Sequence, residues 1–397
     1  MTKSIADDKK KITETRRDEF LSICRTLVEF ETPSDNPNCF PPAWQFLQEA
    51  FGDLGFESTM LTDSRTGGHL YLRPEQRKKS ADRQLYLGHL DTVWDVGTLD
   101  DSPFQIEEES KASGPGLFDM KAGIAQLLLA FRIITERDQE PTLTPLIFLN
   151  SDEEIGSPHS SRYIDCLARH VDRCFVLEPS MAPNGAIKTA RKGVGHFTVT
   201  IEGRASHAGI SPEKGTSAIL ELSHIIQTLN ELNKPSEGIT VNVGVIEGGT
   251  RSNVVPETSK AEVDVRVKSK KQAKKLEKDI RAIEPKIQDI QLQIDGGFRR
   301  PPMEFNEQNQ RLWEQVQSEA HSLGLSLDHT MSGGASDGNT ASQHTPTLDG
   351  LGPVGDGAHE TYEYIDIKQT LERTALLIQL ILMDNHHDPP REGVRHD

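Results

Sequence analysis

Three short apolar runs, each followed by side chains that can bind a metal ion, constrain the fold of this chain more than any other feature. A segment of helical character separates each run from the next, and strands that alternate with helices predict a parallel sheet. Because the carboxyl ends of parallel strands meet at one edge of a sheet, we expect these side chains to lie together there. The runs are residues 85–87 before His89 and Asp91, residues 145–149 before Asp152, Glu153 and Glu154, and residues 174–177 before Glu178.

The spacing of apolar residues also predicts the helices that cover this sheet. Residues 124–134, between the first two runs, carry apolar side chains at helical spacing. The helix before the third run is expected to begin with Ser157 as its N-cap and Pro158 at its first position. The predicted fold class is therefore α/β, a mostly parallel sheet with helices on both faces. Further helices are expected at residues 18–30, 43–54, 308–323 and 367–383.

Residues 193–300 differ from the rest of the chain. Alternating and helical patterns follow one another there in the order strand, helix, strand, strand, helix, strand, which predicts a ferredoxin-like α+β unit. A length of 397 residues also favours two domains over one. We therefore expect residues 193–300 to be a domain inserted into a first domain of residues 1–192 and 301–397, which carries all the ligand runs.

The charge of the chain limits its partners. With 44 Lys and Arg against 61 Asp and Glu, the net charge is −17, so nucleic acid and anionic membrane are unsuitable partners. No N-terminal apolar segment or membrane-spanning run is evident, and the four cysteines form no C-x-x-C pair, which together predict a cytoplasmic protein. His386 and His387 lie in a polar tail and are assigned no chemistry.

The residues after the first run suit a metal site. On a strand, His89 and Asp91 project to the same side, and a metal-binding histidine usually gives its second N–H to a carboxylate. Asp119 lies in the Gly-rich stretch 114–121, which lacks the third glycine of a nucleotide-binding loop, so we reject nucleotide binding. A carboxylate on such a turn can approach two ions closely and bridge them.

Two adjacent acidic residues follow the second run. Glu153 and Glu154 can reach one site only from an irregular turn, and a cation must neutralise one of them, which suits one ligand and one proton carrier. If Asp119 bridges, each of two zinc ions receives one histidine, one terminal carboxylate and the shared carboxylate, and keeps an open position for water. The five proposed ligands are His89, Asp119, Glu154, Glu178 and His359.

These residues lie in motifs that resemble those of a family of di-zinc exopeptidases and deacylases. The family includes acetylornithine deacetylase, succinyl-diaminopimelate desuccinylase, aminoacylase and glutamate carboxypeptidase, and the resemblance covers about residues 20–382, including the inserted domain. The motifs are Gly-His-Leu-Asp-Thr-Val at 88–93, the stretch 114–123 around Asp119, Asp-Glu-Glu-Ile-Gly at 152–156, Leu-Glu-Pro at 177–179 and Gly-Arg-Ala-Ser-His-Ala-Gly at 203–209.

The resemblance implies a role for each of these residues. Asp119 would bridge two Zn²⁺ ions, for which Co²⁺ or Mn²⁺ could substitute; His89 and Glu178 would complete one site, and Glu154 and His359 the other. Glu153 would be the general base and Asp91 would support the catalytic centre. The inserted domain would act as a lid and form a homodimer, and its His207 would stabilise the oxyanion, often in the partner subunit's site.

The resemblance also implies the class of substrate. Relatives with glutamate at the position of Glu178 are carboxypeptidases or deacylases rather than aminopeptidases, so the expected reaction is hydrolysis of an N-acyl amino acid or of a C-terminal peptide bond. Lys188 lies two places from the lysine of glutamate-releasing relatives, which puts a preference for glutamate in doubt. The residues expected to bind a substrate with a free carboxylate are Asn253, Arg266, Arg300 and Gly334.

Two other functions are considered. Residues 334–338 match G-x-S-x-G around Ser336, with Asp356 and His359 downstream, as in a serine hydrolase, but residues 329–333 do not form the apolar strand that this motif requires. A non-catalytic binding protein on the same fold is the second alternative. Such a protein would be free to lose its general base or a ligand, yet Glu153 and all five ligands are present.

Overall fold

The computed structural model describes residues 5–76 and 82–385, with side chains from residue 9 onward. His386 and His387 lie outside the described residues. Within the described part, no helix is long and apolar enough to cross a membrane. None of the four cysteines forms a disulfide bond within the described residues.

The described residues contain eleven α-helices. The short turn Leu117–Lys121 leads directly into the fifth of them. The helices are α1 (Ile5–Thr15), α2 (Arg17–Glu29), α3 (Pro41–Gly52), α4 (Thr98–Asp101), α5 (Ala122–Glu136), α6 (Ser161–Ala168), α7 (Ala218–Glu231), α8 (Lys270–Arg281), α9 (Glu307–Ser322), α10 (Asp337–Ala341) and α11 (Ile367–Leu382).

The strands of the described residues number eighteen. They are β1 (Phe56–Leu61), β2 (His69–Pro74), β3 (Arg83–His89), β4 (Gln105–Glu107), β5 (Lys111–Ser113), β6 (Thr144–Asn150), β7 (Arg173–Val176), β8 (Ile187–Arg191), β9 (Gly193–Glu202), β10 (Ser206–His207), β11 (Thr240–Gly248), β12 (Val254–Val255), β13 (Thr258–Val267), β14 (Gln291–Arg300), β15 (His329–Ser332), β16 (Thr347–Leu348), β17 (Gly355–Asp356) and β18 (Tyr364–Asp366).

The chain divides into two compact units, which are named here the first and the second unit. The first unit is built on a six-stranded sheet in the order β1-β2-β6-β3-β7-β16. The four strands from β6 to β16 are parallel, and β1 and β2 add an antiparallel edge. The predicted α/β class with a mostly parallel sheet is therefore confirmed. The first unit comprises Met1–Thr189, Asn306–Thr330 and His344–Asp397, and the second Ala190–Phe305 and Met331–Gln343.

The buried strands of the first unit explain why its ligand runs read as continuous apolar segments. In β3 and β6 all residues but the first are buried, as expected for parallel strands that are covered on both faces. Helix α5 packs against α11, and nearly all of its residues are buried. Register pairs His89 with Asn150 at the ends of β3 and β6, so the segments that follow both strands emerge at the same edge.

The start of α6 differs from the prediction. Ser157 has φ +54°, and the helix begins at Ser161 rather than at Pro158. The carboxylate of Asp152 accepts the backbone N–H groups of His159 and Ser160, at 2.8 and 3.1 Å. Because these amides are already bonded to a side chain, the chain turns through residues 152–160 before the helix forms.

The second unit contains an antiparallel sheet in the order β11-β13-β9-β14. Buried and half-buried residues alternate along β9, and the buried side chains pack with those of α7 and α8. Residues 331–343, which the sequence places in the first domain, belong to this unit. Hydrogen bonds explain that difference, because Arg266 Nη1 donates to Gly333 O and Asn339 Nδ2 donates to Lys192 O, at 2.9 and 3.0 Å.

Candidate metal centre

His89 lies at the end of β3 with only 1% of its surface exposed. Its Nδ1 is 2.9 Å from the backbone oxygen of Asp91, so a proton on Nδ1 is held there. Its Nε2 then faces two carboxylates, Asp119 Oδ1 at 3.2 Å and Glu178 Oε1 at 3.4 Å. A histidine that is fixed through one ring nitrogen presents the other as a metal ligand.

Asp119 stands between two histidines. Its Oδ1 is 3.2 Å from His89 Nε2, and its Oδ2 is 3.5 Å from His359 Nε2. The two imidazoles therefore meet opposite oxygens of a single carboxylate. This is the arrangement that a carboxylate shared by two cations requires.

Glu154 forms a second pair with His359. Glu154 Oε2 is 3.1 Å from His359 Nε2, while Glu154 Oε1 is buried and has no hydrogen-bond partner among the described residues. His359 is half exposed and adopts φ +64°, a conformation that non-glycine residues rarely hold and that is found at functional sites. An orphaned carboxylate oxygen beside an imidazole nitrogen fits a bound cation.

Asp91 holds the turn that carries the acidic pair. Its carboxylate accepts the backbone N–H groups of Glu153 and Glu154, at 3.2 and 3.0 Å, and the hydroxyl of Ser34 at 2.7 Å. The sequence predicts that this carboxylate receives the N–H of His89, but it lies 3.5 Å from Nδ1, farther than the backbone oxygen of Asp91 itself. Asp91 therefore connects the end of β3 with the turn after β6.

The arrangement of carboxylates at the centre favours a bound positive charge. Hydrogen bonds to Asp119 and then to Glu154 raise the pKa of His359 to about 10. Burial raises the pKa of Glu154, although its hydrogen bond to His359 opposes that shift. The raised pKa of His359 indicates that the neighbouring carboxylates attract positive charge, and a divalent cation would supply that charge without a proton.

Two overlapping clusters satisfy the spacing of a metal site in the described part of the chain. In each cluster the ligand atoms lie within 4.8 Å of one another. One contains His89, Asp119 and Glu154, and the other contains His89, Glu153 and Glu178. The set of imidazole and carboxylate ligands therefore fits zinc, and buried Glu153 lies directly beside it.

His207 and the four predicted substrate-binding residues all belong to the second unit, where they fall into two groups. His207 is exposed and pairs with Val254 across a two-residue ladder, and the neighbouring Asn253 O accepts from Ala208 N at 3.0 Å. The other group surrounds the loop after β15. Arg266 Nη1 bonds to Gly333 O, Gly334 O accepts from Arg191 Nη1, and buried Arg300 lies 3.5 Å from Asp337 Oδ1.

Ser336 does not have the structure of a nucleophile. It is fully buried and forms the N-cap of the five-residue helix α10. Its Oγ accepts from Gly338 N at 3.0 Å, and Asn339 completes a capping box. The G-x-S-x-G match is therefore a helix start.

Glu363 is a residue of this centre that the sequence analysis does not identify. Only 3% of it is exposed, and its carboxylate accepts the backbone N–H of Asp119 at 3.0 Å. Burial raises its pKa to about 7, although hydrogen bonds from backbone N–H groups oppose that shift. Its one sequence signal is an acidic residue immediately before the short strand β18, which is too common to identify it.

The chain that carries this centre is similar to known proteins over most of its length. Residues 85–383 match the model of peptidase family M20/M25/M40. The chain is 27% identical over 376 residues to carboxypeptidase G2 of Pseudomonas sp. (strain RS-16), which covers 92% of this chain and 90% of that protein. It is also 27% identical over 383 residues to succinyl-diaminopimelate desuccinylase of Rhodospirillum centenum (strain ATCC 51521 / SW), covering 90% and 95%.

A solved structure shares the fold. Aminopeptidase PepT from Bacillus cereus ATCC 10987 superposes with a TM-score of 0.79 at 23% identity, over 92% of this chain and 98% of that one. At this identity the likeness establishes the architecture and leaves the substrate open.

Proposed function

Because the chain belongs to peptidase family M20/M25/M40, a family of metal-dependent exopeptidases and deacylases, we propose that its centre holds two zinc ions and hydrolyses an N-acyl amino acid or a C-terminal peptide bond. The resemblance seen in the sequence is confirmed by this membership, and a hydrolase is favoured over a binding protein. The single observation that carries the proposal is the position of Asp119 between the imidazoles of His89 and His359.

In the proposed assignment, Asp119 would be shared by both ions. His89 and Glu178 would complete one site, and Glu154 and His359 would complete the other. The distances of 3.1 to 3.5 Å between these nitrogen and oxygen atoms support that division. Zinc takes nitrogen and oxygen ligands and keeps an open position at catalytic sites, and Co²⁺ or Mn²⁺ would substitute.

The chain's own residues supply the proton transfers. When bound, the metal ions would polarise the scissile carbonyl and acidify the attacking water. Glu153 would accept the proton of that water and pass it to the departing amide nitrogen. Asp91 would hold Glu153 in place through the backbone N–H that it accepts, and His207 would donate a hydrogen bond to the oxyanion.

We propose a substrate with a free carboxylate. Arginine binds a carboxylate through two parallel hydrogen bonds, which favours Arg300 and Arg266 as anchors, with Asn253 and Gly334 as further polar contacts. The names of the relatives, a carboxypeptidase and a desuccinylase, agree with this class. Lys188 is buried in the first unit. We propose no preference for glutamate as the released amino acid.

The proposed partner is a second copy of the chain. In the described part of the second unit, β11 is an outer strand of the sheet and exposes Val245 and Ile246. An unpaired strand edge with apolar side chains is a template for pairing with another chain, which supports a homodimer. The inserted domain as a lid, and a cytoplasmic location, remain predictions from the sequence.

The test is hydrolysis of a panel of N-acyl amino acids and dipeptides by metal-stripped protein, before and after zinc is restored. We expect activity to return at about two zinc ions per chain. A serine-reactive phosphonate is the matched control and should not inhibit. Zinc binding at that ratio without hydrolysis of any panel member would contradict the proposed reaction, and absence of zinc binding would contradict the ligand assignment.

A further inference from the structure

The carboxylate of Glu363 accepts four hydrogen bonds. Oε1 receives the backbone N–H groups of Phe118 and Asp119, at 2.7 and 3.0 Å. Oε2 receives the backbone N–H of Gly116 and the indole N–H of Trp94, at 2.9 and 3.0 Å. Glu363 therefore connects three segments, namely its own, the one with Asp119 and the one after β3.

Strand pairing brings Glu363 to this position. Tyr364 pairs with Ser113, so the residue before β18 lies next to the turn that follows β5. Gly116 within this turn has φ +67°, and a Cβ there would lie 2.3 Å from Thr92 Cγ2, so only glycine fits at this position. The backbone amides of Gly116, Phe118 and Asp119 are therefore directed at one buried anion, as in other backbone nests.

The four donors leave Glu363 no capacity for a metal ion. A carboxylate offers about four lone-pair sites, and four N–H groups occupy them here. The group is thus a backbone clamp rather than a sixth ligand. One of its bonds ends on the amide of Asp119, whose side chain lies between His89 and His359.

We propose that Glu363 is a positioning residue that fixes the backbone of Asp119, so that both carboxylate oxygens of Asp119 face the two metal positions. This inference rests on the proposed function, because it assigns Asp119 the bridging role. Glu363 also lies on the segment that carries His359, so one carboxylate sets the spacing between the shared ligand and a terminal ligand.

A second buried glutamate provides a control that distinguishes a positioning role at the metal centre from a contribution to stability. Glu221 is fully buried in the second unit and accepts the backbone N–H groups of Lys286 and Ile287, each at 2.9 Å. It is bonded to none of the proposed metal ligands in the described part of the chain. Glu221→Gln is therefore the matched control for Glu363→Gln, since both exchange one carboxylate oxygen for an amide that faces backbone N–H groups.

The experiment compares the wild type with both variants, each stripped of metal and titrated with zinc against a chromophoric chelator. The visible absorption spectrum of the Co²⁺ form is the second readout. For Glu363→Gln we expect zinc affinity to fall about 10- to 100-fold, the usual effect of changing a group that orients a ligand. We also expect a changed Co²⁺ spectrum and, at saturating zinc, a lower kcat with little change in KM.

Glu221→Gln should lower the melting temperature without altering zinc affinity or the Co²⁺ spectrum. Wild-type affinity and spectrum in Glu363→Gln would overturn the inference, as would equal changes in both variants. If Glu363→Gln does not fold, Glu363→Asp replaces it in the zinc titration. This variant keeps the charge but is one methylene too short to accept all four hydrogen bonds. The wild-type titration tests the proposed function separately, since failure to bind about two zinc ions would contradict that function directly.

Discussion

The two units hold their candidate functional side chains in different ways. In the first unit, His89, Asp91, Glu153 and Glu178 are buried, and backbone groups fix several of them. In the second unit His207 is exposed, at the end of a ladder of only two residues. The candidate metal ligands are thus held by the fold, whereas the His207 ring accepts one hydrogen bond, from Gly209 N at 3.1 Å, within the described part of the chain.

Replacement of the proposed general base in the first unit should have the strongest consequence for activity. Glu153→Gln should keep two zinc ions but lose roughly 100- to 10,000-fold in kcat, because the variant cannot accept the proton of the attacking water. Steady-state kinetics together with metal analysis measure both quantities. Glu154→Gln is the adjacent control and should lose zinc instead. Near-normal turnover of Glu153→Gln would remove Glu153 from the role of general base.

A substitution at exposed His207 tests the role proposed for the second unit. His207→Ala should lower kcat by about 100- to 1,000-fold if His207 donates to the oxyanion, while leaving zinc content unchanged. His224→Ala, on α7 of the same unit, is the control. Mixing His207→Ala with Glu153→Gln should restore partial activity if sites are shared across a dimer. No recovery after confirmed subunit exchange would argue against sharing.

A smaller effect is expected for the proposed substrate anchor. Arg300→Lys keeps the positive charge but cannot form two parallel hydrogen bonds with a carboxylate, so KM should rise about tenfold with little change in kcat. Arg266→Lys in the same unit provides the comparison between the two candidate anchors. An unchanged KM for a substrate with a free carboxylate would exclude Arg300 as its anchor.

Most of the first unit can be predicted from the sequence because each strand pattern lies within a few residues of the ligand that follows it. The runs before His89, Glu154 and Glu178 are buried parallel strands, and the edge rule for such sheets brings the side chains that follow them together. Asp119 was identified because glycines mark its turn. In each case the pattern and the ligand lie within a few residues of each other.

Other features of the fold and the site cannot be predicted from the sequence because residues distant in the chain determine them. Glu363 acts on Asp119 only because β18 pairs with β5, about 250 positions away in the chain. Ser157 carries the residue type of an N-cap, but the Asp152 carboxylate captures the amides of the predicted first turn. Ser336 matches a short motif whose meaning depends on burial, and it is a capping residue. The antiparallel edge strands β1 and β2 were likewise not predicted.

A buried histidine of the first unit should make a modest contribution to the dependence of stability on pH. His69 is fully buried, its ring lies near those of Phe148 and Tyr163, and neither ring nitrogen forms a hydrogen bond within the described residues. Burial lowers its pKa from the ordinary histidine value of 6.5; Asp152, Asp63 and Asp91 oppose this shift, and His159 adds to it. Below that pH the unfolded chain binds a proton that the folded chain excludes, so stability should fall as the pH decreases.

His69→Phe should therefore flatten the dependence of the melting temperature of metal-free protein on pH between 5 and 8, by a few degrees at the acid end. The second unit offers a contrast, because the hydrogen bond from Lys260, and then that from His196, lower the pKa of Glu262 to about 2. The stabilisation from Glu262 is lost only as the pH falls from the ordinary glutamate pKa of 4.5 toward about 2, below the range of pH 5 to 8. His224→Phe is the control in the second unit. An equal slope in His69→Phe and wild type would show that His69 does not contribute to the acid sensitivity of the first unit.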